Sequence, residues 1–462
     1  MIHHDLIPAC IVSGAFLLVF AAAELWRVLG RPSKEATRKL VHFSCGTICL
    51  GFSYLFRSHW TVLALCFLFV AIMVFTKRFG LLPSIHGVER KSQGSLYYPV
   101  AVYVSFALSS AFHRPDLYLI GILVLAVSDS LAALVGGRYG FKVYIVEEHH
   151  KSLEGSVFFF LATFLIVHLC LLLLSRLDRS VSVLTAVYCS LLVTAFESIS
   201  LGGADNLFIP LGTIVLLERV ADKGIVPLAA RITVVVSLFA LVYLLSRRFK
   251  RFGITAIIGL ALTGYAALMF GGPAWLVPVV VGIALFTTLD IFIEEGPAVD
   301  TVYRIRPVFY LLFVSFAWTV VAGMTTPFRD AAFVSFVTNI TANLGILWQR
   351  RARMTGHPYR LALPLWLRNA HCCVRALVLT LVFAVPPVLV DPRLSAPFTI
   401  GATAAGTITI ELVYWFVERR KRGTWSDTNF LRFTALVSGL VTVLLFAASV
   451  WFYNINTGAA FK

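Results

Sequence analysis

The chemistry of this chain rests on a few polar residues set into apolar surroundings. Asp129 stands inside an apolar run, and Asp129, Ala132, Ala133, Gly136 and Gly140 follow the i, i+3, i+4, i+7, i+11 progression of one helix face. A carboxylate in such a run costs ~2.5 kcal/mol or more unless it is partnered. Small residues alone would suit a helix-packing seam; the acid on the same face points instead to a metal ion or a polyphosphate–metal group. The following loop ends in Lys151-Ser152-Leu153-Glu154-Gly155-Ser156. It offers a point charge, a hydroxyl and backbone N–H groups at a helix N-terminus, which are the parts of an anion site. No GxxxxGK[ST] occurs, which excludes an ordinary P-loop kinase, and His149-His150 lack the further ligands that zinc needs.

Three more groups join these. Arg38 and Lys39 lie four and three residues before His42, so one helix face can bring all three to an anion; a membrane anchor of snorkelling cations is the plainer reading. Glu89-Arg90-Lys91-Ser92-Gln93-Gly94-Ser95-Leu96-Tyr97-Tyr98-Pro99 is a polar loop whose glycine permits close backbone approach, and a solvated loop is its plainer reading. Glu197 closes one apolar run and Asp205-Asn206 opens the next. Mg²⁺ prefers carboxylates, water and substrate phosphates, so Asp129, Glu197 and Asp205 form a set from which one or two would bind it. Against this, Asp205 could serve only as a helix N-cap and Glu197 as a lone interfacial acid.

The elements that must position these residues are membrane spans. Of the 462 residues 59% are hydrophobic and 13% charged, too little polar surface for a soluble globule. Fifteen apolar stretches are each about long enough to cross ~30 Å of hydrocarbon as a helix. No period-2 alternation suggests a transmembrane barrel. The first stretch has no Lys or Arg before it and Arg27, Arg31, Lys34, Arg38 and Lys39 after it, which suits a retained span with its N-terminus outside. With alternate loops inside, 27 of the 39 Lys and Arg fall on one face. The net charge of +16 therefore reports membrane orientation, and no basic domain outside the bilayer is available for nucleic acid. Keeping 201–206 and 247–252 on the basic face requires Asn206 to Val220 to cross as a short span, expected to be broken or tilted at Pro210 and to line a cavity. The fold class is thus all-α, a polytopic integral membrane bundle of about sixteen spans with both termini outside. The eight cysteines form no CxxC and read as packing residues. Residues 1–225 hold the regular polar positions and are expected to form the catalytic unit; 226–462 is a second membrane-helical domain of unassigned role.

In order, Arg38-Lys39-x-x-His42, Ser95-x-x-Tyr98-Pro99, Asp129-x-x-Ala132-x-x-x-Gly136-x-x-x-Gly140, Lys151-Ser152-x-Glu154-Gly155-Ser156 and Glu197 followed by Asp205-Asn206-x-x-x-Pro210 resemble the dolichol kinase / phytol kinase family of CTP-dependent lipid kinases. The Asp129 and Lys151 motifs are also similar to those of bacterial phosphatidate cytidylyltransferases, but the long cytidylyltransferase signature is missing and Asp205-Asn206 matches the kinases better. The resemblance covers roughly residues 35–220. It implies CTP as phosphoryl donor, Mg²⁺ as metal, and a membrane alcohol as acceptor: phytol, farnesol, a longer polyprenol or diacylglycerol. Arg38, Lys39, Asp129, Lys151 and Glu197 would be catalytic. Arg38, Lys39, His42, Gly136, Gly140, Lys151, Ser152 and Asn206 would hold the nucleotide, and Asp129, Glu197 and Asp205 the metal. The active site is expected on the cytoplasmic face, with His42 as one candidate base. Residues 226–462 depart from the family. Phe252 to Asp290 is similar to the opening helices of the phytyl-phosphate kinase family but lacks its acidic elements. An auxiliary bundle, serving lipid entry or contact within a homo-oligomer, is the expected reading. Cytidylyl transfer to a lipid phosphate and ion-coupled transport are the alternatives.

Overall fold

The computed structural model describes residues 2–86, 93–147, 149–175, 177–249, 253–292, 305–324, 328–354, 365–421 and 427–457. Two compact units divide the chain, Met1–Val234 and Val235–Lys462. Unit 1 runs α1 (Ile2–Gly30), α2 (Lys34–Leu50), α3 (Phe52–Leu55), α4 (His59–Arg78), α5 (Pro83–His86), α6 (Gly94–Ala111), α7 (Pro115–Leu123) and α8 (Asp129–Tyr139). A small hairpin of β1 (Val143–Val146) and β2 (His149–Ser152) follows, then α9 (Leu153–Leu174), α10 (Arg179–Ile199), α11 (Asp205–Val220) and α12 (Ile225–Phe249), within which the division falls.

The helix ends follow local sequence. Ser33 Oγ accepts from Ala36 N at the start of α2, Ser152 Oγ from Gly155 N at the start of α9, and Asp178 Oδ2 from Ser180 N at the start of α10. Pro115 opens α7, where its missing N–H costs nothing. Asp5, near the start of α1, accepts from the backbone N–H groups of Arg57 and Ser58 and from the Thr61 hydroxyl, fastening α1 to the start of α4.

The axis of unit 1 is the segment Pro115–Tyr139. Leu117, Tyr118, Ile120, Ile122, Val124 and Leu125 are fully buried along it, and Tyr118 donates to the Cys49 carbonyl on α2. Side chains on the outside are apolar as well: Phe67 on α4 and Leu173 on α9 are exposed. A surface of that kind is stable only against lipid.

Eleven helices are long and apolar enough to cross a membrane among the described residues, with two shorter apolar helices at Pro273–Phe286 and Leu312–Gly323. The chain is a polytopic α-helical integral membrane protein. Over their described residues the stretches expected to span are helical, with one interruption at Gly51, but α2, α6 and α11 are too polar or too short to meet the same measure, so sixteen is not the count obtained. Of the two forms expected of α11, broken or tilted, the break at Pro210 is absent: the helix runs unbroken through it. The proline sits in its second turn and removes one intrahelical donor, that to the Asn206 carbonyl. Asn206, Ile209, Pro210, Thr213, Ile214 and Leu217 form the buried face that holds the helix together. At 16 residues it is about 24 Å long, short of the hydrocarbon thickness.

Unit 2 continues with α13 (Ile254–Ala266), α14 (Pro273–Phe292), α15 (Ile305–Met324), α16 (Arg329–Met354), α17 (Leu365–Val390), α18 (Ala396–Lys421) and α19 (Asp427–Thr457). Its interior is polar for a membrane bundle. Ser315 donates to Asn339 Oδ1 at 2.7 Å, Asn339 Nδ2 to Ser438 at 2.9 Å, and Trp318 Nε1 to Thr442 at 3.1 Å. Arg375 and Glu411 form a buried pair at 2.6 Å. The basic run at Arg247–Arg251 lies partly outside the described residues.

Candidate active site

One widened turn organises the site. The central segment is α-helical up to Leu123, π-helical over Val124–Ser128, and α-helical again from Asp129. A π turn inserts one residue and rotates everything after it by about 100°. Asp129 and the small-residue face that follows are thereby taken out of phase with Leu117–Leu123. The Leu125 carbonyl lies in this turn, and His42 Nε2 is 3.2 Å from it. A carbonyl only accepts, so Nε2 carries the proton of that bond and Nδ1 is the basic nitrogen. Helix α2 can come this close because Gly46 faces Ala126; a Cβ on Gly46 would collide with the Ala126 side chain.

Lys39 on α2 meets Asp129 there. Its Nζ is 2.5 Å from Asp129 Oδ2 and 3.3 Å from the Asp129 carbonyl, with side-chain exposures of 6% and 9%. His42 Nε2 is 3.4 Å from the same carboxylate oxygen. A second pair lies nearby. Lys151, at the end of the hairpin, is 2.6 Å from Glu197 Oε1 on α10 and also donates to the Glu197 carbonyl. Burial opposes the charge on Lys151, but Glu197 and then Asp205 hold its amine above the ordinary lysine range. Glu197 Oε2 is buried and accepts no hydrogen bond. Arg38 pairs with Glu35 at 2.5 Å and lies within electrostatic reach of Asp129 and Asp205. Glu197 is within the same reach of Asp129 and Asp205. The structure thus gathers Arg38, Lys39, His42, Asp129, Lys151, Glu197 and Asp205 at one end of unit 1.

The glycines act by closeness. A Cβ on Gly136 would stand 2.7 Å from Ser152 Oγ and 3.3 Å from Gly155 Cα, and one on Gly140 would meet Gly136 and Ser152. Helix α8 is therefore pressed against the first turn of α9, which sets the position of Lys151 one residue earlier. The Ser152 hydroxyl is the N-cap of α9, and Asn206 Nδ2 donates to the Gly94 carbonyl at 2.9 Å, fastening α11 to α6. Asp205 lies in the first turn of α11, where its Oδ1 accepts from Asn206 N. Of the polar loop before α6, Glu89, Arg90, Lys91 and Ser92 lie outside the described residues.

Three features escape sequence reasoning. The π turn leaves no mark in Val124-Leu125-Ala126-Val127-Ser128. The hairpin pairs Tyr144 with Lys151 and Val146 with His149, and its signal is the short β-branched run Val143-Tyr144-Ile145-Val146. Tyr98 packs edge-on against His42 with ring centroids 5.0 Å apart, a contact that no spacing announces.

Among the described residues no three His, Cys, Asp or Glu lie together as a protein-only metal cage. Carboxylates interleaved with cations at a helix–hairpin junction are suited to a phosphate-rich ligand accompanied by a hard cation.

No family model matches the chain, and no solved structure matches it. Among curated proteins, phytol kinase of Synechocystis is 36% identical over 197 residues, covering 42% of this chain and 83% of that protein. Dolichol kinase sec59 of Schizosaccharomyces pombe is 29% identical over 119 residues, 26% of this chain and 22% of that protein. With more than four-fifths of a relative matched at this identity, the chain belongs to the phytol kinase family of membrane lipid kinases.

Proposed function

We propose that this lipid kinase transfers the γ-phosphoryl group of CTP, with Mg²⁺, to the hydroxyl of a membrane isoprenoid alcohol such as phytol, farnesol or a longer polyprenol, or to that of diacylglycerol. The supporting observation is the gathering of two buried lysine–carboxylate pairs, Lys39–Asp129 and Lys151–Glu197, with Arg38 and Asp205 beside them. The bias of basic residues to the loops at this end supports a cytoplasmic site.

The residues fit the metal. Glu197 Oε2 is buried with no donor, and Asp129 and Asp205 add hard oxygen ligands of the kind Mg²⁺ takes alongside phosphate and water. Bound there, Mg²⁺ would neutralise charge on the phosphate oxygens. Lys39, Lys151 and Arg38 would hold those oxygens, each lysine exchanging its carboxylate for phosphate. Little covalent chemistry is left to the protein, so positioning and charge dominate. The alcohol oxygen attacks the γ-phosphorus in line, the new P–O bond forms as the bond to CDP breaks, and the hydroxyl proton leaves to a general base, for which His42 is the candidate.

Membranes containing the protein, incubated with a prenol panel and CTP labelled at either the γ or the α phosphate, test this. Label from the γ position is expected in lipid. Label from the α position would mean cytidylyl transfer, and no labelled lipid from either would overturn the proposal.

A further inference from the structure

The hairpin that carries Lys151 has four residues in each strand, and two strands of that length hold together only when packed on something else. Its base is tied down by Glu154, whose carboxylate accepts from the Phe141 and Lys142 backbone N–H groups, and by Leu153 N, which donates to the Lys142 carbonyl at 2.9 Å. Val146, toward the turn, is fully buried. Between these lies the rung that matters to the site. Tyr144 and Lys151 stand directly opposite one another there, so their side chains share a face.

Tyr144 has a partner of its own at this rung. Its hydroxyl is 2.9 Å from Ser156 Oγ in the first turn of α9, and Ser156 Oγ is 3.5 Å from Ser198 Oγ on α10. Ser198 directly follows Glu197, whose carboxylate and carbonyl both accept from Lys151 Nζ. Two routes thus join the hairpin to α10 at one level, one through the lysine and one through hydroxyls. They differ in what a bound phosphate does to them. A phosphate that draws Lys151 away from Glu197 Oε1 breaks the first route, whereas the second carries no charge and stays. Burial and then the Glu197 charge push the Tyr144 phenol above its ordinary value, so it keeps its proton at neutral pH and offers Lys151 no rival anion.

We propose that Tyr144 is a positioning residue for phosphoryl transfer: its hydroxyl, linked through Ser156 to Ser198, ties the hairpin to α9 and α10 at the rung of Lys151 and keeps the ammonium in place when phosphate replaces Glu197. The assignment rests on the role given to Lys151 above. A misplacement of about 1 Å at a phosphate-holding group is enough to slow an in-line transfer, so a single hydroxyl can matter without touching substrate.

The full-length protein in nanodiscs, without nucleotide, is treated with an amine-acylating reagent at mildly alkaline pH, and modified lysines are quantified by peptide mass spectrometry. Tyr144→Phe removes one oxygen and keeps the ring. It should raise modification of Lys151, relative to the exposed Lys142, by about three- to ten-fold, while the buried Lys39 reacts as in the wild type. Unchanged modification of Lys151, or an equal rise at Lys39, would overturn the assignment. In turnover the same variant should lower kcat by about three- to ten-fold and leave KM for the alcohol as it is. Modification raised with kcat unchanged would show a tie that transfer does not use, and would overturn the positioning role. Ser156→Ala removes the other half of the contact and should give the same two effects, so the test does not depend on one variant folding. The double variant should stay within about two-fold of either single one, and additive effects would refute the hydroxyl link. Acylation needs no turnover, so a modification change in a protein that phosphorylates no alcohol would sink the kinase reading alone. Phosphorylation by the wild type with no modification change in the variants would sink the role of Tyr144 alone.

Discussion

Replacing Asp129 by asparagine keeps the shape of the side chain and removes its charge, leaving Lys39 without its counter-ion at 2.5 Å. Both side chains are more than nine-tenths buried, so water cannot take over. An exposed pair would contribute ~0–1 kcal/mol, whereas breaking a buried one by removing a single partner costs about 3–5 kcal/mol. Asp129→Asn and Lys39→Met should each destabilise unit 1 on that larger scale, measured by unfolding of the purified protein in detergent. The double variant carries no unpaired charge and should regain most of the loss, because an apolar replacement of a buried ion pair is close to neutral. Activity should behave differently. If both residues contact the Mg²⁺–triphosphate group, all three variants lose CTP-dependent lipid phosphorylation by about 10²-fold or more. A double variant that recovers both stability and activity would show the pair to be scaffold only. Single variants as stable as the wild type would refute the burial argument itself.

Lys151→Met should abolish phosphoryl transfer at neutral pH, read from label in extracted lipid. Because Lys151 titrates above the ordinary lysine value of ~10.4, the stability it adds is fully present below that value and is lost as pH rises through its folded pKa. The melting difference between wild type and Lys151→Met should therefore be constant from about pH 7 to 9 and shrink only in stronger alkali. Gly136→Ala should cost about 1–3 kcal/mol in the same unfolding assay, since its new methyl group would meet Ser152 Oγ at 2.7 Å and the backbone of α9 behind it. Chelation of divalent cations should abolish retention of labelled CTP by the purified protein, and added Mg²⁺ should restore it.

Hydrophobic stretches long enough to span, and the face carrying Asp129, Gly136 and Gly140, are legible in sequence because a helix repeats on a fixed local period. Partners are not. Lys39 and Asp129 are 90 residues apart and Lys151 and Glu197 are 46 apart, and no local spacing relates them. Nor does residue type announce that the Ser152 hydroxyl caps α9 or that the Asn206 amide ties α11 to α6. The break expected at Pro210 as one of two forms does not occur, since a proline early in a helix removes one hydrogen bond and a well-buried face keeps the rest.

Charge shows the same limit most sharply. Over the chain the balance is +16, and three loops assigned to the site end carry 12 of the cations. Within the described cluster, however, Arg38, Lys39 and Lys151 face Glu35, Asp129, Glu197 and Asp205, three cations against four carboxylates. The loops are basic while the cluster itself carries a slight excess of acid. Such a cluster repels a bare triphosphate at short range and accepts one whose charge is already offset by a divalent cation. The basic loops favour approach and orientation, which act over a Debye length of about 8–10 Å, whereas the buried pairs govern what is held on arrival. On the proposed reading, the requirement for Mg²⁺ thus follows from the local count of charges rather than from any single ligand.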